Sequence, residues 1–131
     1  MSEAYGVEAM PLSVAIARIC MWIQASLGLI GLFLLFVVLG GAPLSVVDGA
    51  LVFTLLVSTA AIVLPGFLAH RTASRRGWVR VCGLVVEVLQ IGVGIWALTG
   101  GVSVGRVLSV VLAGIVVAQL CRPSSAMWFN R

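Results

Sequence analysis

Four long apolar runs, separated by short polar or glycine-rich segments, dominate the pattern of this chain. Hydrophobic residues are continuous within each run rather than alternating, which favours helices over strands. A helix needs about 20 mostly apolar residues to cross the hydrocarbon core of a membrane, and all four runs approach that length. The pattern therefore predicts four spanning helices. Their expected bounds are roughly 19–39, 47–68, 78–98 and 104–120, and the pattern allows a helical lead-in to the first run from Leu12.

The segments between the runs predict an all-α transmembrane four-helix bundle with up-down-up-down topology. Glycine and proline at 40–43, a polar loop at 69–77 and two glycines at 100–101 break the runs. Connections this short place successive helices side by side and antiparallel. The whole chain, 1–131, is then one membrane domain with a tail at 121–131.

Composition agrees with a membrane environment. The chain is 62% hydrophobic and 9% charged, whereas soluble domains carry about 25% charged residues. Too little polar surface exists to cover a water-exposed globule, so we expect lipid to solvate the bundle. All eight basic residues are arginines. They stand beside the apolar runs rather than on a soluble face, which argues against nucleic acid as a partner.

The arginines also predict an orientation. Seven of them fall on one side of a four-span topology, and only Arg106 falls on the other. Because basic residues concentrate on the cytoplasmic side, both termini are expected in the cytoplasm of a bacterium, with the chain in its cytoplasmic membrane. Arg71, Arg75 and Arg76 in the second loop are expected to contact anionic headgroups or a partner protein. The other four on that side are Arg18, Arg80, Arg122 and Arg131.

Glu87 is the main candidate for chemistry, since it lies near the middle of an apolar run where a charge is costly. Spacings of three and four place it on one helix face with Arg80 and Gln90. At 1.5 Å per residue, Gln24 of the first helix lies at nearly the same depth. This predicts an intramembrane polar cluster of Arg18, Gln24, Arg80, Glu87 and Gln90. Glu87 is then either a clamp that fixes helix register, paired or hydrogen-bonded, or a proton or cation site.

Other polar and aromatic residues have simpler interpretations. Asp48 and Arg106 begin the second and fourth runs on the same side, and they either pair or are solvated separately. Four aromatic residues are expected as anchors at the membrane interface. For the two in the tail, docking on another subunit is the alternative. These anchors are Trp78, Trp96, Trp128 and Phe129.

No catalytic constellation is visible, so we expect no enzyme activity, no metal and no cofactor. The leading expectation is an accessory or assembly protein that acts through helix contacts, as a homo-oligomer or as a subunit of a larger membrane complex. The first alternative is a small proton-coupled transporter that uses Glu87. The second is an oligomeric ion channel with its pore between subunits, because one bundle offers no continuous polar lining.

The chain resembles the small four-span integral membrane proteins common in actinobacteria, a group to which no activity is generally assigned. The resemblance is carried by short phrases at 13–18, 22–25, 77–80 and 86–90, and by the ending 126–129. The small multidrug resistance transporters are also similar in length and span number. Their essential glutamate lies in the first span, where this chain has Gln24, so no residue role is carried over from them.

Overall fold

The computed structural model describes residues 9–43, 45 and 47–130. These residues form five α-helices and one 3-10 turn, Thr72–Ser74, and no strand occurs among them. The fold class is therefore all-α, as predicted. Arg131, which contributed to the predicted orientation, lies outside the described residues. The helices are α1 (Leu12–Gly40), α2 (Gly49–Arg71), α3 (Gly77–Thr99), α4 (Val104–Leu120) and α5 (Pro123–Phe129).

Helices α2 and α4, which follow the two hairpin loops, each begin with a side-chain cap. The Asp48 side chain caps α2 by accepting a hydrogen bond from the backbone N–H of Leu51 at 2.8 Å. Ser103 caps α4 in the same way, with a 3.3 Å bond from the backbone N–H of Arg106. Each side chain satisfies one of the N–H groups that a helix start leaves without an intrahelical partner. These caps place the starts of α2 and α4 close to where the apolar pattern puts them.

The first four helices pack in a ring in which α1 contacts α2 and α4, and α3 contacts α4 and α2. One end of the ring holds the start of α1, the 3-10 turn and α5, and we call it the terminal end. The other end holds the α1–α2 and α3–α4 loops, and we call it the hairpin end. Buried residues are confined to 13–25, 65–72, 79–87 and 112–129, all toward the terminal end. The bundle is therefore tight at its terminal end and open toward its hairpin end.

Three helices, α1, α2 and α3, are each long and apolar enough to cross a membrane. The fourth, α4, has 17 residues and reaches that length only together with α5, from which it is bent by 70°. The structure thus has three or four candidate spans. The bounds of α4 agree with the predicted fourth run. Helix α1 begins at Leu12, seven residues before the expected span at 19, so it includes the helical lead-in that the sequence pattern allowed.

The tail corrects one prediction. Trp128 and Phe129, expected at the membrane interface, are 8% and 2% exposed. They belong to α5, which folds back onto the bundle of its own chain rather than onto another subunit. The Trp128 indole N–H donates to the carbonyl of Thr72 at 3.2 Å. One turn earlier on α5, the Ser125 hydroxyl lies 2.9 Å from that of Ser13. The 70° bend after α4 brings these residues to the terminal end of the ring.

Candidate functional site

Glu87 lies at the centre of the candidate site, on the face of α3 that turns into the bundle. The residue is fully buried, as is its neighbour one turn earlier, Gly83. The opposite face of α3 carries Val85, Val88 and Leu89, all more than half exposed. At Gly83 an added Cβ would lie 3.1 Å from the Leu120 side chain, so this small residue lets α4 approach α3 closely. The predicted stripe therefore does orient Glu87 inward.

Two glutamines connect Glu87 to the rest of the bundle. The Gln24 amide N–H on α1 donates to Oε2 of Glu87 at 3.1 Å, and it also lies 3.5 Å from Oε1 of Gln90. Gln90 in turn donates to the backbone carbonyl of Ala61 on α2 at 3.0 Å. The chain of amides thus runs from α1 across to α3 and on to α2. We call Gln24, Glu87 and Gln90 the amide–carboxyl cluster.

The cluster contains two buried oxygens without a hydrogen-bond partner, Oε1 of Glu87 and Oε1 of Gln24. Among the described residues, Glu87 forms no salt bridge and receives a hydrogen bond only from Gln24. A buried carboxylate without a cation is strongly disfavoured, and the neutral acid avoids that cost. A proton on Glu87 also supplies a donor in a place where two acceptors lack one. The geometry therefore matches a protonated Glu87.

The two arginines predicted to join the cluster lie apart from it. Arg80 points toward α4, where its Nε donates to the carbonyl of Leu120 at 2.9 Å. That carbonyl is at the C-terminus of α4, which carries partial negative charge and leaves carbonyl groups free to accept. Arg18 is partly exposed on α1 and makes no salt bridge with Glu87. The predicted cluster is therefore reduced to Gln24, Glu87 and Gln90. The ion-paired form of the clamp is wrong, and its hydrogen-bonded form stays a prediction.

A cavity of about 420 Å³ lies on the hairpin side of this cluster. Gln24 and Gln90 form its polar part, and its walls are otherwise apolar apart from Ser109 of α4. Glu87 does not line the cavity and sits behind the two amides. Gly31 and Gly105 leave the cavity wide, since a Cβ added to either would meet no atom within 4 Å. The cavity leads from the open half of the ring to the amide–carboxyl cluster.

A second recess lies between α2 and α3 and reaches inward to Ser109 of α4. It has a volume of about 410 Å³, and Val57, Leu64, Leu89 and Val93 are among its walls. It forms because α2 and α3 contact each other over less of their length than the other neighbouring pairs do. We call this recess the α2–α3 groove. Its lining is apolar except for Gln90 and Ser109, which also line the first cavity.

The predicted pair of Asp48 and Arg106 is not formed. Asp48 is engaged as the cap of α2, while Nη1 of Arg106 donates to the carbonyls of Ala97 and Gly101 at 2.9 and 2.6 Å. Arg106 thus satisfies carbonyls at the end of α3, where a positive charge is favourable. Asp48 and Arg106 bond to backbone groups close to them instead of to each other. Each lies next to a helix terminus, where backbone N–H or carbonyl groups have no partner within the helix.

The basic loop at the terminal end is partly engaged within the chain. The guanidinium of Arg75 lies 4.0 Å from the centre of the Trp128 ring, and that of Arg71 lies 5.3 Å from the Phe67 ring. Both distances suit cation–π contacts. Arg76 is exposed, as the prediction of a headgroup-facing loop requires. Arg75, by contrast, holds α5 in place as well as belonging to the loop.

The remaining predicted anchors are on the outside of the bundle. Trp78 is 41% exposed and packs at a tilt against Phe67, with ring centres 6.5 Å apart. Trp96, near the end of α3, is 76% exposed. Both positions suit an interfacial aromatic residue.

Sequence reasoning missed the contacts that hold α5, namely Ser13, Thr72 and Ser125. A proline followed by two serines at 123–125 is a recognisable helix start, and it was the available signal. Ala61 was also missed as an acceptor, because its backbone carbonyl, and not its side chain, accepts the hydrogen bond from Gln90. No family model, curated protein or solved structure matches this chain.

Proposed function

We propose that this protein is a small proton-coupled transporter whose proton site is Glu87. The observation that carries the proposal is a fully buried carboxyl group that has one hydrogen-bond donor, no cation and an unpartnered oxygen, just behind a cavity. Carboxyl groups inside membrane helices are a recurrent element of proton relays. The asymmetry of the arginines supports a cytoplasmic terminal end, in which case the cavity opens outward.

The amide–carboxyl cluster has the properties that proton exchange requires. Gln24 can hold both the acid and the carboxylate, since its amide offers a donor and an acceptor. Its contact with Gln90 is 3.5 Å, at the long limit for a hydrogen bond, so the amides can part at little cost. Parting of these amides would connect Glu87 with the cavity. At the terminal end, α5 and the tight core separate Glu87 from the cytoplasm.

The transport proposal predicts proton flux in proteoliposomes. Purified protein would be reconstituted with a pH-sensitive dye inside the vesicles, and a potassium diffusion potential would drive protons inward. We expect slow, uncoupled proton flux from the wild type, because Glu87 can take up and release its proton without a substrate. We expect none from Glu87→Gln, which keeps the side-chain shape but cannot exchange a proton. Asp48→Asn is the matched control, because it removes a carboxylate that caps a helix outside the cluster.

Glu87→Gln vesicles that conduct protons like the wild type would rule out the proposed site. Loss of flux in Asp48→Asn as well would attribute the effect to general loss of structure instead. Comparing circular dichroism spectra of the three proteins in the same vesicles separates these results from unfolding.

A second candidate function, assembly through helix contacts, is favoured by the α2–α3 groove. Its apolar walls and incomplete α2–α3 contact suit the insertion of a helix from a second copy or from a partner protein. Val57→Trp would fill the groove, and Val63→Trp places the same bulk on an exposed part of α2 outside it. We expect a wild-type oligomer in detergent that Val57→Trp dissociates and Val63→Trp preserves. A wild-type monomer by light scattering would rule out a second copy of the chain as the occupant of the groove.

A further inference from the structure

The cavity beside the amide–carboxyl cluster has the size and lining of a small-molecule site. Its volume of about 420 Å³ falls within the range of about 300–1,000 Å³ that is typical of ligand pockets. Leucine side chains from α1 and α4 form much of its wall, including Leu27, Leu34 and Leu108. One end is polar, where the Gln24 and Gln90 amides lie. A ligand that fits must therefore have an apolar body and one polar end.

The polar end is short of hydrogen-bond donors rather than of acceptors. Both N–H groups of the Gln24 amide are used, toward Glu87 and toward Gln90, and Gln90 uses one of its two toward the carbonyl of Ala61. The atoms left without partners are both oxygens, one on Gln24 and one on Glu87. Once the proton of Glu87 has left, a ligand that brings N–H donors satisfies these oxygens, whereas a ligand that brings only acceptors leaves them unpaired.

The charges near the cavity also favour a ligand that donates hydrogen bonds, and specifically a cation. No arginine is among the residues that line the cavity, and Arg106, at the hairpin end, is held by the carbonyls of Ala97 and Gly101. The acidic group within reach is Glu87, behind the amides. A cation therefore meets a carboxyl group there and no fixed positive charge, and the apolar walls strengthen that attraction by excluding water.

We propose that the cavity binds a protonated primary or secondary amine that carries an apolar group, as the substrate class of the proposed transporter. The inference rests on the proposed function and deepens it. The apolar group occupies the leucine-lined part. Once the Gln24 and Gln90 amides part, the ammonium N–H groups donate to Oε1 of Gln24 and to the carboxylate of Glu87. Before binding, Glu87 carries its own proton.

Binding then exchanges one cation for another at Glu87. The O–H bond of the acid breaks, its proton leaves through the cavity, and the ammonium ion takes its place beside the carboxylate, so the charge of the site is unchanged. The groups that face Glu87 are compatible with this exchange. From α1, the Cys20 thiol is near enough to interact with it electrostatically. The charged or titratable groups described on the helices packed around it otherwise lie toward helix ends or point away, namely Arg18, Asp48, His70, Arg71, Arg80, Cys82 and Arg106.

The test compares two cations of equal chain length that differ in N–H donors. Calorimetric titration of the purified full chain in lipid nanodiscs would use hexylamine, protonated at neutral pH, and hexyltrimethylammonium, with empty nanodiscs subtracted for partitioning. Because hydrogen bonds that involve a charged group contribute about 1.5–3 kcal/mol, hexylamine should bind at least about tenfold more tightly. Its binding should also release a proton, measured as a buffer-dependent heat.

Two glycine variants test the location. Gly105→Leu fills the cavity, and Gly92→Leu adds the same side chain to the exposed face of α3, where a Cβ likewise meets nothing within 4 Å. We expect Gly105→Leu to weaken hexylamine binding by at least about tenfold and Gly92→Leu to leave it unchanged. Gly31→Leu fills the opposite wall and serves if Gly105→Leu fails to fold.

Equal affinity for the two cations, or equal affinity of hexanol and hexylamine, would overturn the assignment to amines and indicate an apolar or lipid site. Unchanged binding in a folded cavity-filling variant would overturn the location. These results are separate from the proton flux that tests the proposed function. Flux is measured without any amine, so it persists if only the substrate class is wrong.

Discussion

Replacing Gln24 by leucine removes the only side chain that donates a hydrogen bond to Glu87 among the described residues. The acid is fully buried and cannot recruit water in compensation without opening the bundle. An unsatisfied buried polar group costs about 1–3 kcal/mol, and we expect Gln24→Leu to lower the free energy of unfolding by that amount. Glu87→Leu should cost about as much, because Gln24 then loses its 3.1 Å acceptor.

The double variant separates this pair from unrelated losses. With both polar groups replaced, neither is left unsatisfied, so the double variant should be more stable than the sum of the single effects implies. Coupling energies between membrane helices average about 0.6 and reach about 1.7 kcal/mol, and we expect about 1 kcal/mol here. Unfolding in detergent micelles with increasing dodecyl sulfate, followed by circular dichroism, measures all three variants.

A control cycle combines Gln24→Leu with Thr59→Val, whose hydroxyl bonds within its own helix to the carbonyl of Leu55. These changes share no partner and should add. If Gln24→Leu and Glu87→Leu are also additive, the pair does not interact and the account of the cluster fails.

Two further predictions concern helix packing and the tail. Gly94→Ala should destabilise the protein in the same unfolding assay, because its Cβ would lie 2.5 Å from Cγ2 of Val110. Gly92→Ala, in open space on the same helix, should be neutral or stabilising, and equal losses in both would contradict the α3–α4 packing. Cysteines at Ser13 and Ser125, whose hydroxyls lie 2.9 Å apart, should cross-link on mild oxidation when the native cysteines are replaced by alanine. A reducible shift in gel mobility reports the bond, and its absence would contradict the docked position of α5.

The helices and the facing of Glu87 were predictable because each depends on short-range pattern. Continuous apolar runs and their breaks located α1 to α4, and the spacing of Gly83, Glu87 and Gln90 oriented α3. The match in depth between Gln24 and Glu87 followed from the equal rise of two parallel helices. The 3.1 Å bond between them agrees with that estimate.

The partners of the arginines and the position of the tail were not predictable from pattern. Arg80 had a carboxyl group and a helix C-terminus within reach, and only the packing of α4 against Gly83 decides between them. Arg106 likewise bonds the end of its own hairpin rather than Asp48. Burial of Trp128 depends on the bend before α5, which the apolar pattern alone does not reveal. The sequence reasoning did not consider backbone carbonyls at helix ends as hydrogen-bond acceptors for the arginines.

The central claim is that Glu87 carries a proton that it can exchange. The most direct measurement is the infrared difference spectrum between the wild type and Glu87→Gln in lipid, recorded in H₂O and in D₂O. The chain has four acidic residues, and the difference isolates the signal of Glu87, which is buried in the bundle. We predict a protonated-carboxyl band in the wild type that is absent from the variant and shifts after exchange into D₂O. A wild type without that band, or with a band that never shifts, would contradict the account.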